Sequence, residues 1–283
     1  MTDKVTEDRN TTAAAPPSGA AAADPAAAGE HPKARYVKKM FNTIATHYDA
    51  MNMVMSAGTL RYWQHAFQGV TGLGPGGHAL DVACGTAELS LKMAAQVRPG
   101  GKVTGIDFSE AMMAIGRKKV EASPYGSMIT LQFGDAMDIG FPDDTFDAAS
   151  IGFALRNVAD IPRVLAEMTR VVKPGGHVIS LELSKPENAF IRVPYYFYFF
   201  RLVPLIDRMV GLGKDEQREL HPYAYLPASL RPLPGRLKLA EMFREAGLVD
   251  VKTRPLTGGL VCLHWGVKPP AEKRAKERAE KPV

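Results

Sequence analysis

The chain has 283 residues, of which 46% are hydrophobic and 23% charged, and its formal net charge is +5. This composition excludes a fibrous or largely disordered protein and fits one α/β domain with tails. Two cysteines, Cys84 and Cys262, are too few for a disulfide framework and have no metal-ligand spacing, so we expect a reducing, cytoplasmic setting and no metal. No arginine-rich run is interleaved with aromatic residues, which argues against a nucleic-acid partner.

Both ends of the chain have the composition of tails. Residues 1–33 are rich in alanine and proline and cannot bury enough apolar surface to offset the entropy of ordering, so we predict disorder. Asp3 and Glu7 stand where a secretory signal would be basic, which argues against export. Residues 269–283 form a charged tail without an apolar stripe. We therefore assign one domain to residues 34–268.

Between the tails, short apolar runs alternate with helical periods, which is typical of βαβ units that build a parallel sheet. In chain order, the predicted strands are HALDVA, KVTGID, ITLQFGD, FDAASIGF, GHVISLEL, LVDVKTR and GLVCLHWGV. Predicted helices lie near residues 87–97, 109–121, 160–172 and 235–246. Only the turn PLTGG separates the last two strands, so we expect a seven-stranded, mostly parallel sheet with an antiparallel hairpin at one edge.

The turn after the first predicted strand stands where nucleotide-binding folds hold their ligand. A dinucleotide site needs three glycines there, whereas this turn retains only Gly85, so a ligand without a diphosphate fits better. Asp107 ends the second strand at the spacing from which an acid accepts hydrogen bonds from a ribose diol, and Asp135 and Ala136 end the third strand, where an adenine would lie. An adenosine without phosphates that carries a methionine is S-adenosylmethionine, whose amino-acid end would meet Thr86 and the helix N-terminus.

Each of these acids also has a purely structural interpretation. Asp107 precedes a helix that Ser109 could cap equally well, and Asp135 could serve a turn in the same way. Together, the Gly85 loop, Asp107 and Asp135 indicate a ligand site more specifically than any one of them does. They follow successive strands, whose ends lie at the edge where open α/β sheets bind ligands.

The sequence resembles a known family in several segments: LDVACGTAELSL, GIDFSEAMM, GDAMDIGFPDDTFDAASIGFALRNV and EMTRVVKPGGHVISLELSKP. These are similar to motifs of the class I methyltransferases that C-methylate the ring in menaquinone and ubiquinone biosynthesis. The resemblance covers nearly everything but the tails, and it implies a Rossmann-like α/β fold with helices on both faces of the sheet.

The resemblance also implies a set of cofactor contacts, carried over by motif position. S-adenosylmethionine, and its product S-adenosylhomocysteine, would contact Asp81, Gly85, Thr86, Asp107, Phe108, Asp135, Ala136 and Gly152. The chain departs from the family in this loop, which in the family reads as a glycine pair followed by Thr-Gly and here reads Cys84, Gly85, Thr86 and Ala87. Alanine is tolerated as the third residue of related fingerprints, so the implied binding stands.

Ring methylation requires a quinol carbon made nucleophilic by the loss of the neighbouring hydroxyl proton. Arg156 and Asn157 follow the fourth strand; the arginine could lower the pKa of that hydroxyl or organise a water, and the asparagine could hold the other side of the ring. A cap for the helix near Asp160, with Arg156 paired to an acid, is the alternative. Tyr48 and Asp49 belong to a helix that covers the cofactor in relatives, although Asp49 could simply cap a turn.

An apolar and aromatic insertion, residues 186–232, follows the fifth strand. Arginines and prolines interrupt it, so a membrane-spanning helix is improbable, and it is interpreted either as a lid for a lipophilic quinol or as a helix packed on the sheet or on another subunit.

We expect demethylmenaquinol as substrate. The methoxybenzoquinol of ubiquinone synthesis, a secondary-metabolite phenol and an inactive regulatory protein remain alternatives, as do a homodimer and peripheral contact with the inner face of the cytoplasmic membrane.

Overall fold

A computed structural model describes residues 32–56, 58–202, 225 and 229–270, all within one compact unit, His31–Val283. Its sheet has seven strands, as predicted, in the order β3-β2-β1-β4-β5-β7-β6. The strands are β1 (His78–Val82), β2 (Lys102–Asp107), β3 (Ile129–Phe133), β4 (Phe146–Gly152), β5 (Val172–Leu183), β6 (Val249–Leu256) and β7 (Val261–Val267). The first five are parallel and β7 is antiparallel to both β5 and β6, which confirms the predicted edge hairpin.

Helices cover both faces of this sheet. Within the described residues, the α-helices are α1 (Pro32–Ile44), α2 (Tyr48–Met55), α3 (Leu60–Gln68), α4 (Glu88–Val97), α5 (Glu110–Glu121), α6 (Ile161–Val171), α7 (Ala189–Phe197) and α8 (Arg236–Glu245). Side chains alternate across a strand, so Ala79 of β1 joins a core cluster with α3 and α4, while Leu80 joins a second cluster with α6 and α8. Four of these helices match the predicted ones to within one or two residues.

The strand order reverses at β1, which lies between β2 and β4. At such a reversal the connections leave to opposite faces, and a crevice opens beyond the carboxyl ends of the strands. The loop from β1 to α4 and the residues after β2 and β4 meet there.

The start of the domain differs from the sequence expectation. Helix α1 begins at Pro32, two residues inside the predicted tail 1–33. The rest of that tail and residues 271–283 lie outside the described residues, as do 203–224 and 226–228 of the predicted insertion. In the described part of the insertion, α7 contains Pro194 and continues into a π-helical turn, Tyr198–Leu202. Among the described helices, none is long and apolar enough to cross a membrane.

Candidate active site

The loop between β1 and α4 has a left-handed backbone at three alternating positions. Gly85 has φ +52°, and Ala83 and Ala87 have φ 54° and 65°. An alanine in this region costs about 1 kcal/mol relative to glycine. The buried methyl group of Ala87 packs in the core cluster of α3 and α4, which offsets part of that cost. The departure from the family loop therefore leaves a backbone that a glycine would also adopt.

A cavity of about 720 Å³, counted to its open mouth, lies against this loop. We call it the cofactor cavity. Its lining combines the loop, the end of β4 and one side of α2, and consists of Tyr48, Asp49, Asn52, Met53, Leu60, Gln64, Asp81, Ala83, Cys84, Gly85, Thr86, Glu88, Leu89, Gly152 and Phe153. Six of the predicted site residues, from three separate parts of the sequence, thus meet around one space.

Asp81 is buried at the end of β1 and faces this cavity. Its carboxylate accepts hydrogen bonds from the hydroxyls of Ser90, at 2.6 Å, and Ser150, at 3.1 Å. Burial raises the pKa of Asp81 to about 6, although both serines oppose the shift. A buried carboxylate of this kind gains most from a cationic ligand, because a cation replaces the hydration that the carboxylate has lost.

Asp107 is also buried, and its carboxylate organises the neighbouring backbone. It accepts hydrogen bonds from the Gly85 and Ser109 amides, both at 2.8 Å. Burial raises the pKa of Asp107, and these backbone donors act against the rise. The cap of α5 is Ser109, which accepts from the Met112 amide, so Asp107 is not needed as a cap. Its position against the loop agrees with the predicted ribose contact, which stays a prediction.

Asp49 ties the helical cover to the cofactor loop. One of its carboxylate oxygens accepts from the Thr86 hydroxyl at 2.7 Å, and the other lies 2.6 Å from the Lys119 ammonium group. Lys119 also pairs with Glu88 at 2.7 Å. Asp49 is therefore a bridge between α2, the loop and α5, rather than a simple turn cap.

The remaining cofactor candidates are placed differently. Gly152 lines the cofactor cavity, and a Cβ there would stand 2.5 Å from the Leu89 side chain, so a larger residue would have to displace Leu89. Asp107, Phe108, Asp135 and Ala136 lie at the same edge of the sheet but line neither of the two cavities described in this section. Asp135 is exposed and accepts from the Met137 amide at 2.8 Å. Their adenosine contacts stay predictions.

A second cavity of about 640 Å³ adjoins the first. We call it the aromatic cavity. The two share Asn52, Leu60 and Phe153, and the second is otherwise lined by Met55, Ser56, Trp63, Arg156, Leu183, Tyr195, Tyr198 and Leu260. Arg156 is the one ionised side chain among these described lining residues, and the others are mostly apolar or aromatic. This space fits a flat, apolar ring that carries a few polar groups.

Arg156 is buried and paired with Glu182, a residue of β5 that is only 1% exposed. Their side chains meet at 2.6 Å, and Arg156 also donates to the Phe153 carbonyl oxygen. Burial disfavours its charged form, but Glu182 more than offsets burial and raises the pKa of Arg156 above the ordinary value. Its buried Nε has no hydrogen-bond partner among the described residues. Arg156 is thus a permanent cation with a donor to spare, and it cannot serve as a general base.

Asn157 does not line either of these cavities. Its amide oxygen accepts from the Tyr225 hydroxyl at 3.1 Å, so it anchors a residue of the insertion beside the site. Arg156 and Asn157 do not cap α6, because Asp160 is the cap of that helix and accepts from the Arg163 amide. The other half of the capping alternative holds, since Arg156 is indeed paired with an acid. A direct role for Asn157 at the ring stays a prediction.

Tyr48 lines the cofactor cavity, and burial raises its pKa despite the nearby charge of Arg156. Its side chain is also hydrogen-bonded to Asn52, which lines both cavities. Tyr48 therefore remains a neutral hydroxyl at ordinary pH. Its catalytic role stays a prediction.

Sequence reasoning missed three functional candidates: Glu182, Asn52 and Lys119. Glu182 could have been found, because it is an acid inside the apolar strand GHVISLEL, where a charge needs a buried partner. Lys119 stands beside Lys118 on α5, where no local signal distinguishes it, and Asn52 stands between two methionines on α2. His264, which was not assigned a role, is buried with its pKa lowered to about 4 by burial, and its ring contacts the Arg236 carbonyl at 3.0 Å, a structural arrangement.

The sequence model of the ubiE/COQ5 methyltransferase family matches residues 30–268. The chain belongs to this family. Membership makes it an S-adenosylmethionine-dependent methyltransferase, as the fold and the cofactor loop indicate. Among the residues that the structure describes, no group of three potential metal ligands occurs.

Curated relatives within the ubiE/COQ5 family carry a consistent name. A demethylmenaquinone methyltransferase of Symbiobacterium thermophilum is 50% identical over 236 residues, which cover 83% of this chain and 94% of that protein. The same-named protein of Geobacillus kaustophilus is 43% identical over 83% of this chain and 98% of its own length. A solved phosphoethanolamine N-methyltransferase 2 of Haemonchus contortus, in complex with S-adenosyl-L-methionine, has a TM-score of 0.58 at 15% identity and covers 86% of this chain and 61% of its own; it supports the fold alone.

Proposed function

We propose that this protein transfers a methyl group from S-adenosylmethionine to a ring carbon of a prenylated quinol, with demethylmenaquinol as the substrate. The observation that carries the proposal is the pair of adjoining cavities. One holds the acids and the loop typical of the cofactor site, and the other is apolar with a buried arginine. Curated relatives of 42 to 50% identity that bear the name demethylmenaquinone methyltransferase support this choice of quinol.

The residues of the cofactor cavity fit the proposed cofactor. When bound, S-adenosylmethionine supplies an electrophilic methyl group on a sulfonium. Asp81 offers a buried carboxylate to a cationic ligand, and Thr86 and Asp49 offer oxygens at the loop. Asp107 does not line this cavity, but it is bonded to the loop at the Gly85 amide and would offer its remaining acceptor capacity to a ribose diol. Gly152 keeps the floor of the cavity open, because any side chain there would meet Leu89.

Arg156 supplies the chemistry that the ring needs. A quinol carbon attacks only as the neighbouring hydroxyl becomes a phenolate, and a fixed cation in an apolar cavity stabilises that developing charge far more than water does. The Arg156 side chain lines the aromatic cavity, so its charge acts on a phenolate held there. Because Arg156 stays protonated, the proton must leave to water or to another acceptor, so the arginine acts by electrostatics and positioning.

Asn52, Leu60 and Phe153 determine how the two cavities communicate. They line both spaces, so a ring in the aromatic cavity would meet the transferable methyl group across them. The apolar residues also exclude water, which would otherwise compete for the methyl group and weaken the field of Arg156. Tyr195 and Tyr198 close the far side, where the prenyl tail would leave the ring.

The test is transfer of a labelled methyl group to chemically reduced demethylmenaquinone, with the prenylated methoxybenzoquinol assayed in parallel. We expect label in menaquinone. Label in the benzoquinol alone would reassign the substrate to ubiquinone synthesis. Label in neither quinol, from protein that binds S-adenosylhomocysteine, would contradict the proposal and support a regulatory protein.

Arg156→Lys and Arg156→Ala then test the mechanism. We expect Arg156→Ala to lower kcat by about 100-fold or more, because a preorganised charge is lost, whereas Arg156→Lys retains part of the rate. Unchanged affinity for S-adenosylhomocysteine would show that the variants are folded. Full turnover of Arg156→Ala at saturating quinol would exclude this role.

A further inference from the structure

Helix α7 exposes an apolar ridge. Phe190, Val193 and Phe197 are 90%, 66% and 59% exposed, and their spacing of three and four residues places them on one side of the helix. We define these three residues as the α7 ridge. Two phenylalanines and a valine in a row are more than the single exposed apolar residues that occur on most surfaces, and such a contiguous patch marks an interaction site.

The opposite side of the same helix lines the aromatic cavity. Tyr195 is buried there, and Tyr198, in the π-helical turn that follows, lines the same space. The helix is therefore a thin wall between the proposed quinol site and the ridge. Whatever binds the ridge lies within one helix diameter of the ring.

Among the described residues, the charged side chains next to the ridge are mainly basic. From Ala189 to Leu202 the sequence contains Arg192 and Arg201 and no acidic residue. Both arginines are exposed, as is Arg231, which stacks on the Phe200 ring at 5.3 Å from its centre. Within the described part of the chain, none of the three forms an ion pair with a carboxylate, whereas nearby Glu187 is neutralised by Arg236 at 2.8 Å. The surface is thus apolar at its centre and cationic at its border.

We propose that the α7 ridge inserts into the surface of an anionic lipid bilayer, with Arg192, Arg201 and Arg231 against the lipid phosphates. Aromatic side chains bordered by arginine are the composition of helices that lie in the interfacial plane. Basic groups gain from the negative surface potential of such a leaflet. The proposal rests on the proposed function in one respect, because a prenylated substrate is dissolved in that same bilayer and would reach the aromatic cavity beside α7.

The experiment is flotation of the full chain with vesicles of phosphatidylcholine containing about one-third phosphatidylglycerol, and with vesicles of phosphatidylcholine alone. We expect binding to the anionic vesicles that weakens as salt is added. The double variant Phe190→Ser and Phe197→Ser should bind at least about tenfold more weakly. Its two serine side chains gain nothing from transfer out of water, whereas the two phenylalanine rings do. Leu237→Ser, at a residue 67% exposed on α8, is the matched control and should bind like the unmodified chain.

Enzymatic readouts separate this proposal from the proposed function. The double variant should turn over a short-chain, water-soluble quinol at the unmodified rate and lose rate only with a long-chain quinol held in vesicles. Vesicle binding without methylation of any quinol would support the membrane-binding surface and contradict the proposed function. Equal vesicle binding by the double variant and the control would overturn the membrane-binding surface. So would light scattering that shows a dimer for the unmodified chain and a monomer for the double variant, with no binding of either to vesicles.

Discussion

Glu182 determines what Arg156 can do, although it lines neither cavity described above. An ion pair this deeply buried adds little to stability, since desolvation offsets most of its attraction, but loss of one partner leaves an uncompensated charge. Glu182 also accepts from the Leu183 amide at 2.8 Å, which fixes its carboxylate in one orientation. It is a positioning residue for the arginine.

We predict that Glu182→Gln lowers the free energy of unfolding by about 3 kcal/mol. It should also move the midpoint of the pH–rate profile to lower pH, because an unbalanced Arg156 makes the bound quinol more acidic. Urea unfolding and a pH series of kcat test both effects. Glu187→Gln, which breaks the exposed pair with Arg236, is the control and should cost no more than about 1 kcal/mol. Equal stability of the two variants would be incompatible with the buried pair.

Asp81 should make cofactor affinity depend on pH. Its pKa is raised to about 6 in the folded protein, so this acid is protonated below that pH although its unfolded counterpart ionises near 4. Its contribution to stability is therefore greatest at low pH and is lost as the pH rises through 6. A cationic ligand requires the carboxylate form, so its affinity should rise over the same range.

The measurement is titration calorimetry of S-adenosylmethionine from pH 5 to pH 7. We expect the dissociation constant to fall by up to about tenfold per pH unit below 6 and to level off above it. Asp81→Asn should bind more weakly at pH 7 and show a flatter profile. If the substituted protein kept the original slope, the dependence would have to be assigned elsewhere, with Asp107 the first candidate because burial raises its pKa too.

Helix α1 is an element that the sequence did not predict, and it is attached to the site by a few polar contacts. Lys33 donates to the carbonyl oxygens of Arg156, at 3.1 Å, and Val158, at 2.6 Å. Near the other end, the Asn42 side chain accepts from the Ser109 hydroxyl at 2.6 Å. The helix thus spans from the loop that carries the arginine to the first turn of α5, across the edge where an adenosine is predicted.

Lys33→Met should loosen the first turns of α1. Two hydrogen bonds are lost, each contributing about 1 kcal/mol, so amide exchange in α1 should quicken about 30-fold and the KM for the cofactor should rise. Hydrogen exchange followed by mass spectrometry measures the first effect. Lys39→Met removes an exposed lysine of the same helix and should change neither quantity. Unchanged exchange in Lys33→Met would show that the other contacts of α1 hold its first turns without Lys33.

Strong local sequence patterns predicted the strands and several helix caps. Apolar runs bounded by glycine predicted all seven strands, and Ser109 and Asp160 are caps whose chemistry is visible in the sequence. The aromatic cavity could not be predicted in this way. It depends on pairs that only the fold brings together, such as the Trp63 indole, which donates to the Thr257 hydroxyl at 2.7 Å across 194 positions of sequence.

At the scale of the whole molecule, the cofactor should stabilise the fold. A ligand that binds only the native state adds about 2.7 kcal/mol at 100 times its dissociation constant, which corresponds to about 5 to 10 °C for a domain of this size. We predict a shift of that size with S-adenosylhomocysteine and none with NADH, because the loop lacks the glycines of a dinucleotide site. Differential scanning fluorimetry tests the prediction. Stabilisation by NADH would instead indicate an oxidoreductase.

The burial of both cysteines protects them from alkylation by an oxidised quinone. Cys84 lines the cofactor cavity and Cys262 lies in β7; both are buried, and burial raises the pKa of Cys84 well above its usual range and that of Cys262 to about 12. In the oxidised quinone, the open ring carbon that would accept the methyl group is also the carbon that a thiolate attacks. Because thiols with raised pKa hold almost no thiolate, the protein can work beside an electrophile without being alkylated by it.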